Sequence, residues 1–279
     1  MSKIVNRNVL ITGGASGIGK LMGRRFLEEG ARNVVIWDVN EDALYKTAAE
    51  WQAEGYSNVL AYVVDVTDTE NVEDTAIDVL SELGGIDILV NNAGVVVGKN
   101  FEDHSASDID LTVDVNIKAV MHVTLGILPS MIKRGRGHIV NIASAAGLIP
   151  NPKMSVYAGS KWAVVGWSES LRLEMEAKYH HINVTTVTPG YIDTGMFEGV
   201  TSPTLMPMLK PTEIVNKIIL AIKRNEIQLR APWSVYLAPF LRGILPTRVF
   251  DYVVGDLLGV YESMSTFSGK KERDVKKMV

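Results

Sequence analysis

The chain has 279 residues, 47% hydrophobic and 22% charged, with a formal net charge of -4 and no cysteine. This is the composition of a globular protein with a sizeable core. It excludes disulfides, thiolate metal sites and a cysteine nucleophile, and it leaves no basic footprint for nucleic acid.

The first apolar run, Asn8–Thr12, is too short for a secretory signal and leads straight into glycines. No stretch approaches the about 20 consecutive apolar residues of a membrane-spanning helix. Any membrane contact is therefore expected from the surface, and the cysteine-free sequence suits a reducing cytoplasm. Apolar β-branched runs follow at Asn33–Trp37, Val59–Val64, Ile86–Val90, His138–Ile142 and Ile182–Val187, separated by helical patterns. Near-continuous apolar strands alternating with helices predict a parallel sheet covered on both faces, a doubly wound α/β domain.

After Pro189 the texture changes. Residues 191–211 set Gly195, Gly199, Pro203, Pro207 and Pro211 among Met196, Phe197, Leu205, Met206, Met208 and Leu209, a loop too apolar to lie idle in water. A helix is predicted over Thr212–Arg224 and a seventh strand near Ile227–Ala231. Behind Pro246-Thr247, the residues Phe250, Val253, Val254, Leu257, Leu258, Tyr261 and Met264 recur at helical spacing and predict an amphipathic helix. The last residues, Ser268–Val279, are mostly charged.

Four groups of residues carry chemistry. Thr12-Gly13-Gly-Ala-Ser16-Gly17-Ile18-Gly19 follows the first strand and opens the first helix, where glycines allow close approach to a diphosphate seated on the helix N-terminus. Its spacing departs from G-x-G-x-x-G, and a plain glycine-rich turn is an equal reading by itself. Asp38 ends the second strand, 19 residues after Gly19, where an acid can bind both ribose hydroxyls of an adenosine. A 2'-phosphate would meet its charge, which favours NAD over NADP; a helix cap is the alternative. Asp65-Val66 and Asn91-Asn92-Ala93-Gly94 end the third and fourth strands at the same sheet edge, where they can read an adenine; the second could also be a simple turn. Finally, Tyr157 and Lys161 stand four apart on one helix face. An ammonium beside a phenol favours the phenolate, so Tyr157 is expected to exchange protons near neutrality as a general acid/base.

Taken in order, these residues with Asn116, Ser144, Pro189-Gly190 and Thr194 resemble the short-chain dehydrogenase/reductase family over about residues 5–195. The resemblance implies a single Rossmann-type domain with a seven-stranded parallel sheet ordered 3-2-1-4-5-6-7. It implies that Tyr157 moves the hydroxyl proton and that Ser144 orients the substrate oxygen. Lys161 would favour the tyrosinate and hold the nicotinamide ribose, and Asn116 would position a water that links Lys161 to solvent. Pro189, Gly190, Ile192 and Thr194 would hold the nicotinamide. The residues agree with this reading. His180-His181 reads as a solvated loop rather than a metal site, which leaves the Ser144 and Tyr157 hydroxyls to polarise a substrate oxygen.

The C-terminal third, residues 231–269 with Phe240-Leu-Arg-Gly-Ile-Leu-Pro246, looks like the branch holding retinol dehydrogenases and lipid-droplet 17β-hydroxysteroid dehydrogenases. Residues 1–232 are thus expected to form the dinucleotide-binding and catalytic domain, with a substrate loop at 191–211. Residues 233–269 form an apolar helical extension over the site or an interface, and 270–279 a charged tail. Met196, Phe197 and Met206 are expected to roof a small lipophilic substrate, though packing as ordinary core is an almost equal reading. The terminal helix and its basic tail could dock on anionic lipid, or the helix could cover the substrate loop or a subunit partner. The family implies a homodimer or homotetramer through the long helices beginning near His104 and Ser155. A dinucleotide sensor or structural subunit without turnover, or a reductase of small polar carbonyls, is the alternative; the full catalytic set favours an enzyme.

Overall fold

The computed structural model describes residues 2–267. Runs of Val, Ile and Leu fill the central members of seven strands: β1 (Asn8–Thr12), β2 (Asn33–Asp38), β3 (Val59–Val63), β4 (Ile88–Asn91), β5 (Gly137–Ile142), β6 (Ile182–Pro189) and β7 (Gln228–Ala231). All neighbours pair in parallel in the order β3-β2-β1-β4-β5-β6-β7, as expected. The fourth strand starts two residues later than its apolar run, which opens at Ile86. Asp87 interrupts it: its carboxylate turns aside to accept from the Asn8 amide at 3.1 Å and from Arg134 at 2.7 Å.

Helices cover both faces. On one side lie α1 (Gly17–Glu28), α2 (Glu41–Ala53) and, later in the chain, the helix Pro211–Arg224. They bury Met22, Phe26, Trp51 and Ile218 against Ile11, Ile36 and Val187. Gly23 lets α1 approach α2, since a Cβ there would lie 2.4 Å from the Trp51 ring. On the other side are α3 (Thr69–Leu83), α4 (Ala106–Val113), α5 (Ala119–Arg134) and α6 (Ser155–Lys178). Val79, Ile127 and Leu171 there pack on Leu10, Val35, Leu89 and Ile139. Polar caps start several of these helices: the Asn40 and Asp68 side chains accept the Ala43 and Asn71 amides, and Ser105 and Asp108 form a reciprocal capping box.

A π-helical turn at Asp114–Lys118 joins α4 to α5. The combined helix Ala106–Arg134 is 29 residues long and apolar enough, by length and composition, to cross a membrane. The expectation that no such stretch exists is therefore corrected. Asp108, Asp110, Asp114 and Lys118 break the sequence into shorter apolar runs and hide it. In the fold its inner side, with Val123, Ile127 and Met131, is part of the core beneath the sheet.

Past β7, a 3-10 turn (Trp233–Tyr236) leads into α8 (Leu237–Ile244), with Pro211–Arg224 being α7. A last helix, α9 (Thr247–Phe250), continues as a π-helical stretch to Leu257. The predicted helix through Met264 ends there. Gly259 takes φ +74 and the chain folds back, placing the Tyr261 ring where a Cβ on Gly255 would be, 2.3 Å away. Phe250, Val254, Val260 and Met264 are all buried nonetheless. The first three join Met206, Ile149 and Val235 in a small core of their own. The charged tail lies outside the described residues.

Candidate active site

The carboxyl edge of the sheet gathers the residues singled out in the sequence. The glycine turn between β1 and α1 is shaped by steric need: Gly13 has φ +65, and a Cβ on Gly19 would sit 2.0 Å from the Gly13 carbonyl oxygen. Gly19 thus shapes the turn from behind rather than facing the cleft. Ser16 precedes α1 without a side-chain cap, which leaves the helix's first amides open to an anion.

Thr12, which sequence reasoning passed over, fastens this turn to the neighbouring one. Its hydroxyl oxygen accepts from the amides of Asn92 at 3.0 Å and Ala93 at 3.1 Å. The Asn92 side chain donates to the carbonyls of Thr12 at 2.9 Å and Gly13 at 3.1 Å. Asn92 therefore staples two turns together. Asp38, nearly buried, accepts from the amides of Ala15 and Asn40, each at 3.0 Å. The cap of α2 is Asn40, not Asp38. Asp65 accepts from the amide and hydroxyl of Thr67 at 2.8 and 2.7 Å.

Between these turns runs a cleft of about 1280 Å³ including its open mouth. Its walls take in Gly13, Ser16, Gly17, Ile18, Asp38, Asp65, Val66, Asn92, Ala93 and Gly94. Further along they take in Ser144, Tyr157, Lys161, Pro189, Gly190, Ile192, Thr194, Met196 and Phe197. The glycine turn, the uncapped helix start and the carboxylate beyond it form a seat that fits a nicotinamide dinucleotide.

Ser144 follows β5, and Tyr157 and Lys161 project from α6 into the same wall. Lys161 Nζ lies 5.7 Å from the centre of the Tyr157 ring and donates to the Ile142 carbonyl at 3.0 Å. Burial pushes the Tyr157 phenol up to about 12; the hydrogen bond from Ser144 works against that rise and the neighbouring Tyr191 adds to it. Burial also lowers Lys161 to about 8. The largest influence on the phenol in this arrangement is desolvation, not the expected ammonium neighbour, whose charge is turned to the Ile142 carbonyl.

Asn116 lies behind this wall on the π-helical turn, fully buried. Its side chain accepts from the Val95 amide at 2.9 Å and donates to the Val95 carbonyl at 2.9 Å and Ser160 Oγ at 3.1 Å. With its amide so occupied, the side chain has little left for a water. Gly94 gives it room, since a Cβ there would approach Asn116 Oδ1 at 3.3 Å and Lys161 Nζ at 3.6 Å.

A second, smaller cavity of about 400 Å³ including its open mouth lies beyond Ser144, walled by Ile149, Met154, Tyr191, Phe197, Met206 and Val260. Met206 belongs to this cavity, whereas Met196 lines only the larger cleft and Phe197 lines both. The Phe197 ring stands edge-on to Tyr157 at 6.4 Å and to Tyr191 at 5.2 Å. A polar knot absent from the sequence reading holds this region. Asn151 Nδ2 donates to Tyr191 OH and Ser263 Oγ, both at 2.9 Å, and those two hydroxyls are 2.8 Å apart. Asn151 and Ser263 are 112 positions apart, so no local pattern announces them.

Comparison with known proteins agrees with this geometry. The family model described as short chain dehydrogenase matches residues 7–204. The chain is 41% identical over 268 residues to mouse epidermal retinol dehydrogenase 2, covering 95% of this chain and 86% of that protein. It is 36% identical over 259 residues to estradiol 17-beta-dehydrogenase 11 of Macaca fascicularis, covering 88% and 85% respectively. A crystal structure of a short chain dehydrogenase/reductase from Burkholderia phymatum in complex with NAD superposes with a TM-score of 0.79 at 26% identity, covering 87% of this chain and 95% of that one. With the fold, the dinucleotide seat and these matches in agreement, the chain belongs to the short-chain dehydrogenase/reductase family of oxidoreductases.

Proposed function

We propose that the protein transfers a hydride between NAD and a lipophilic secondary or allylic alcohol or ketone of retinoid, steroid or long-chain kind. The observation that carries this reading is the meeting of two cavities at Ser144: a dinucleotide-sized cleft on one side and a largely apolar chamber on the other. A carbinol carbon held at that junction would face Tyr157 and Ser144 while its apolar body fills the chamber of Met154, Phe197, Met206 and Val260. The names of the relatives, dehydrogenases of retinol and estradiol, support the substrate class.

The bound nicotinamide would supply the hydride chemistry. The turn Gly13–Gly19 and the start of α1 would hold its diphosphate. Asp38 would bind the adenosine ribose, and its carboxylate supports NAD over a 2'-phosphorylated cofactor. Asp65-Val66 and Asn92–Gly94 would flank the adenine side, and Pro189, Gly190, Ile192 and Thr194 the nicotinamide. Ser144 would orient the substrate oxygen. In reduction, the neutral Tyr157 phenol gives that oxygen its proton; in oxidation the tyrosinate receives it. Lys161, lowered to about 8 by burial, titrates close enough to neutrality to return a proton to the phenol. Asn116 would act as a positioning residue by fixing Val95 and Ser160 behind the pair. Assembly into a homodimer or homotetramer through the long helices that begin near His104 and Ser155 is part of this proposal.

The test is NADH production, with NADPH in parallel, across alcohols from short chains to retinol and steroids. Tyr157→Phe should lower turnover by about 10²–10⁴-fold while leaving NAD binding intact. A preference for small polar alcohols would reject the lipophilic substrate. NAD binding without any turnover would instead identify a dinucleotide-binding sensor.

A further inference from the structure

We propose that the outward face of the segment Trp233–Ile244 docks on an anionic lipid bilayer and sets the roof of the apolar chamber against it. Trp233, Leu237, Phe240 and Ile244 recur at i, i+4, i+7 and i+11, one stripe of a helical surface, and are 65%, 40%, 63% and 60% exposed. Tyr236 beside them is 48% exposed. The opposite side of the same segment is also apolar: Val235 and Ala238 are buried in the core beneath, with Leu241 and Leu245 packed against it. A surface helix in water carries polar residues outward, so an apolar stripe on both sides marks a contact surface.

Charge selects the occupant. Between Glu226 and Asp251 the charged residues are Arg230, Arg242 and Arg248 alone, a local +3 on a chain of net charge -4. Two of these are held at the rim by ring stacking: Arg230 lies 5.5 Å from the Tyr236 ring centre and Arg242 4.4 Å from that of Trp162, itself 40% exposed. A two-fold contact with a second copy would bring this basic patch against itself. Residues 270–277, with five cations against Glu272 and Asp274, carry the same sign, so charge complementarity does not select them. Anionic lipid complements both the apolar stripe and its basic rim, in the manner of an interfacial helix.

The expected role of the terminal helix changes accordingly. The apolar face at Phe250, Val254, Val260 and Met264 is buried inside, with Val260 on the chamber wall, and α8 offers the outward stripe instead. Ser234 Oγ donates to the Leu205 carbonyl at 2.5 Å, which ties the stripe to the loop whose Pro203 and Met206 wall the chamber. Docking rests on the surface alone; delivery of a lipophilic alcohol from the bilayer rests on the function proposed above.

Flotation of the full chain with vesicles of phosphatidylcholine, and of phosphatidylcholine with about a third phosphatidylserine, tests the proposal. Binding should favour the anionic vesicles and weaken with salt. The double variant Phe240→Ser, Ile244→Ser should bind at least about 10-fold more weakly, and Arg248→Glu should lose the preference for phosphatidylserine. Brominated lipid should quench wild-type emission more than that of Trp233→Phe. None of these residues lines either cavity, so NADH production from a short soluble alcohol should not change. Failure to float, or flotation indifferent to both variants, would overturn docking. A dimer in sedimentation that the double variant dissolves would put a second copy on this face instead. Vesicle binding without turnover of any lipophilic alcohol would keep docking and reject the substrate reading.

Discussion

Replacing Lys161 with Met should give a protein that is more stable near neutral pH and has lost its turnover. Burial lowers the ammonium from 10.5 to about 8. At about 1.4 kcal/mol per pH unit, that fall corresponds to about 3 kcal/mol of cost for holding the charged form in the folded chain. The unfolded chain keeps its proton up to about pH 10.5, so the cost is fully present below about pH 8. It shrinks as pH rises between the two values and is gone above the higher one. Met fills similar space without charge, but it forfeits the bond to the Ile142 carbonyl, a loss of about 1 kcal/mol. The variant should therefore be about 2 kcal/mol more stable than wild type at about pH 7, and about 1 kcal/mol less stable above about pH 10.5. Urea unfolding of both proteins from about pH 7 to pH 10.5 reads this directly, and the two curves should cross. Turnover should fall by at least about 100-fold across the range. Parallel stabilities at every pH, or a variant weaker at neutral pH, would refute the claim that burial of the ammonium dominates this site.

His138 gives a second pH signature: burial lowers it to about 4 from 6.5, so the folded chain keeps it neutral. Its contribution is complete above about pH 6.5 and is lost as pH falls toward 4, up to about 3 kcal/mol; thermal melts should show that loss flattened in His138→Gln. Gly19→Ala puts a Cβ 2.0 Å from the Gly13 carbonyl oxygen, a backbone atom that cannot step aside. It should destabilise by about 1–3 kcal/mol or more in urea and weaken NAD binding in a titration. Asp38→Ala frees the amides of Ala15 and Asn40. It should narrow the preference for NAD over NADP, read as the ratio of their kcat/KM values.

The sheet was legible because Val, Ile and Leu runs of strand length sit between helical patterns, and parallel strands buried on both faces have that texture. What the local pattern could not register were groups acting at a distance. Asp87 closes the front of β4 because Asn8 and Arg134 reach it from elsewhere. Helical spacing from Phe250 to Met264 predicted one helix, yet Phe250, Val254 and Met264 of that pattern stay buried across a fold-back at Gly259, because burial constrains where side chains end and not how the backbone brings them there. In the site, the motifs gathered on one wall, but the bonds that hold them there were not legible. The Asn92 side chain staples two turns, a contact between segments 79 and 80 positions apart. The Tyr157 and Lys161 spacing gave their common face, while their proton affinities depend on burial, which spacing does not carry.

The division at Ser144 has a consequence for how the protein can change its diet. The larger cleft is built mainly on strand ends and the turns that follow them, stapled by Thr12 and Asn92. The smaller chamber is assembled from three loose ends of chain: Ile149–Met154, Tyr191–Met206 and Val260–Ser263, drawn together by the Asn151 knot. Ser144, Gly190 and Phe197 serve both rooms. Mutations in Ile149–Met154, Pro203–Met206 and Val260–Ser263 can reshape the guest without touching a wall of the redox partner's seat, whereas Ile192, Thr194 and Met196 belong to that seat. Selection, or a directed-evolution library, would find new tastes fastest by sampling those segments and leaving Ile192–Phe197 and the shared Ser144 and Gly190 alone.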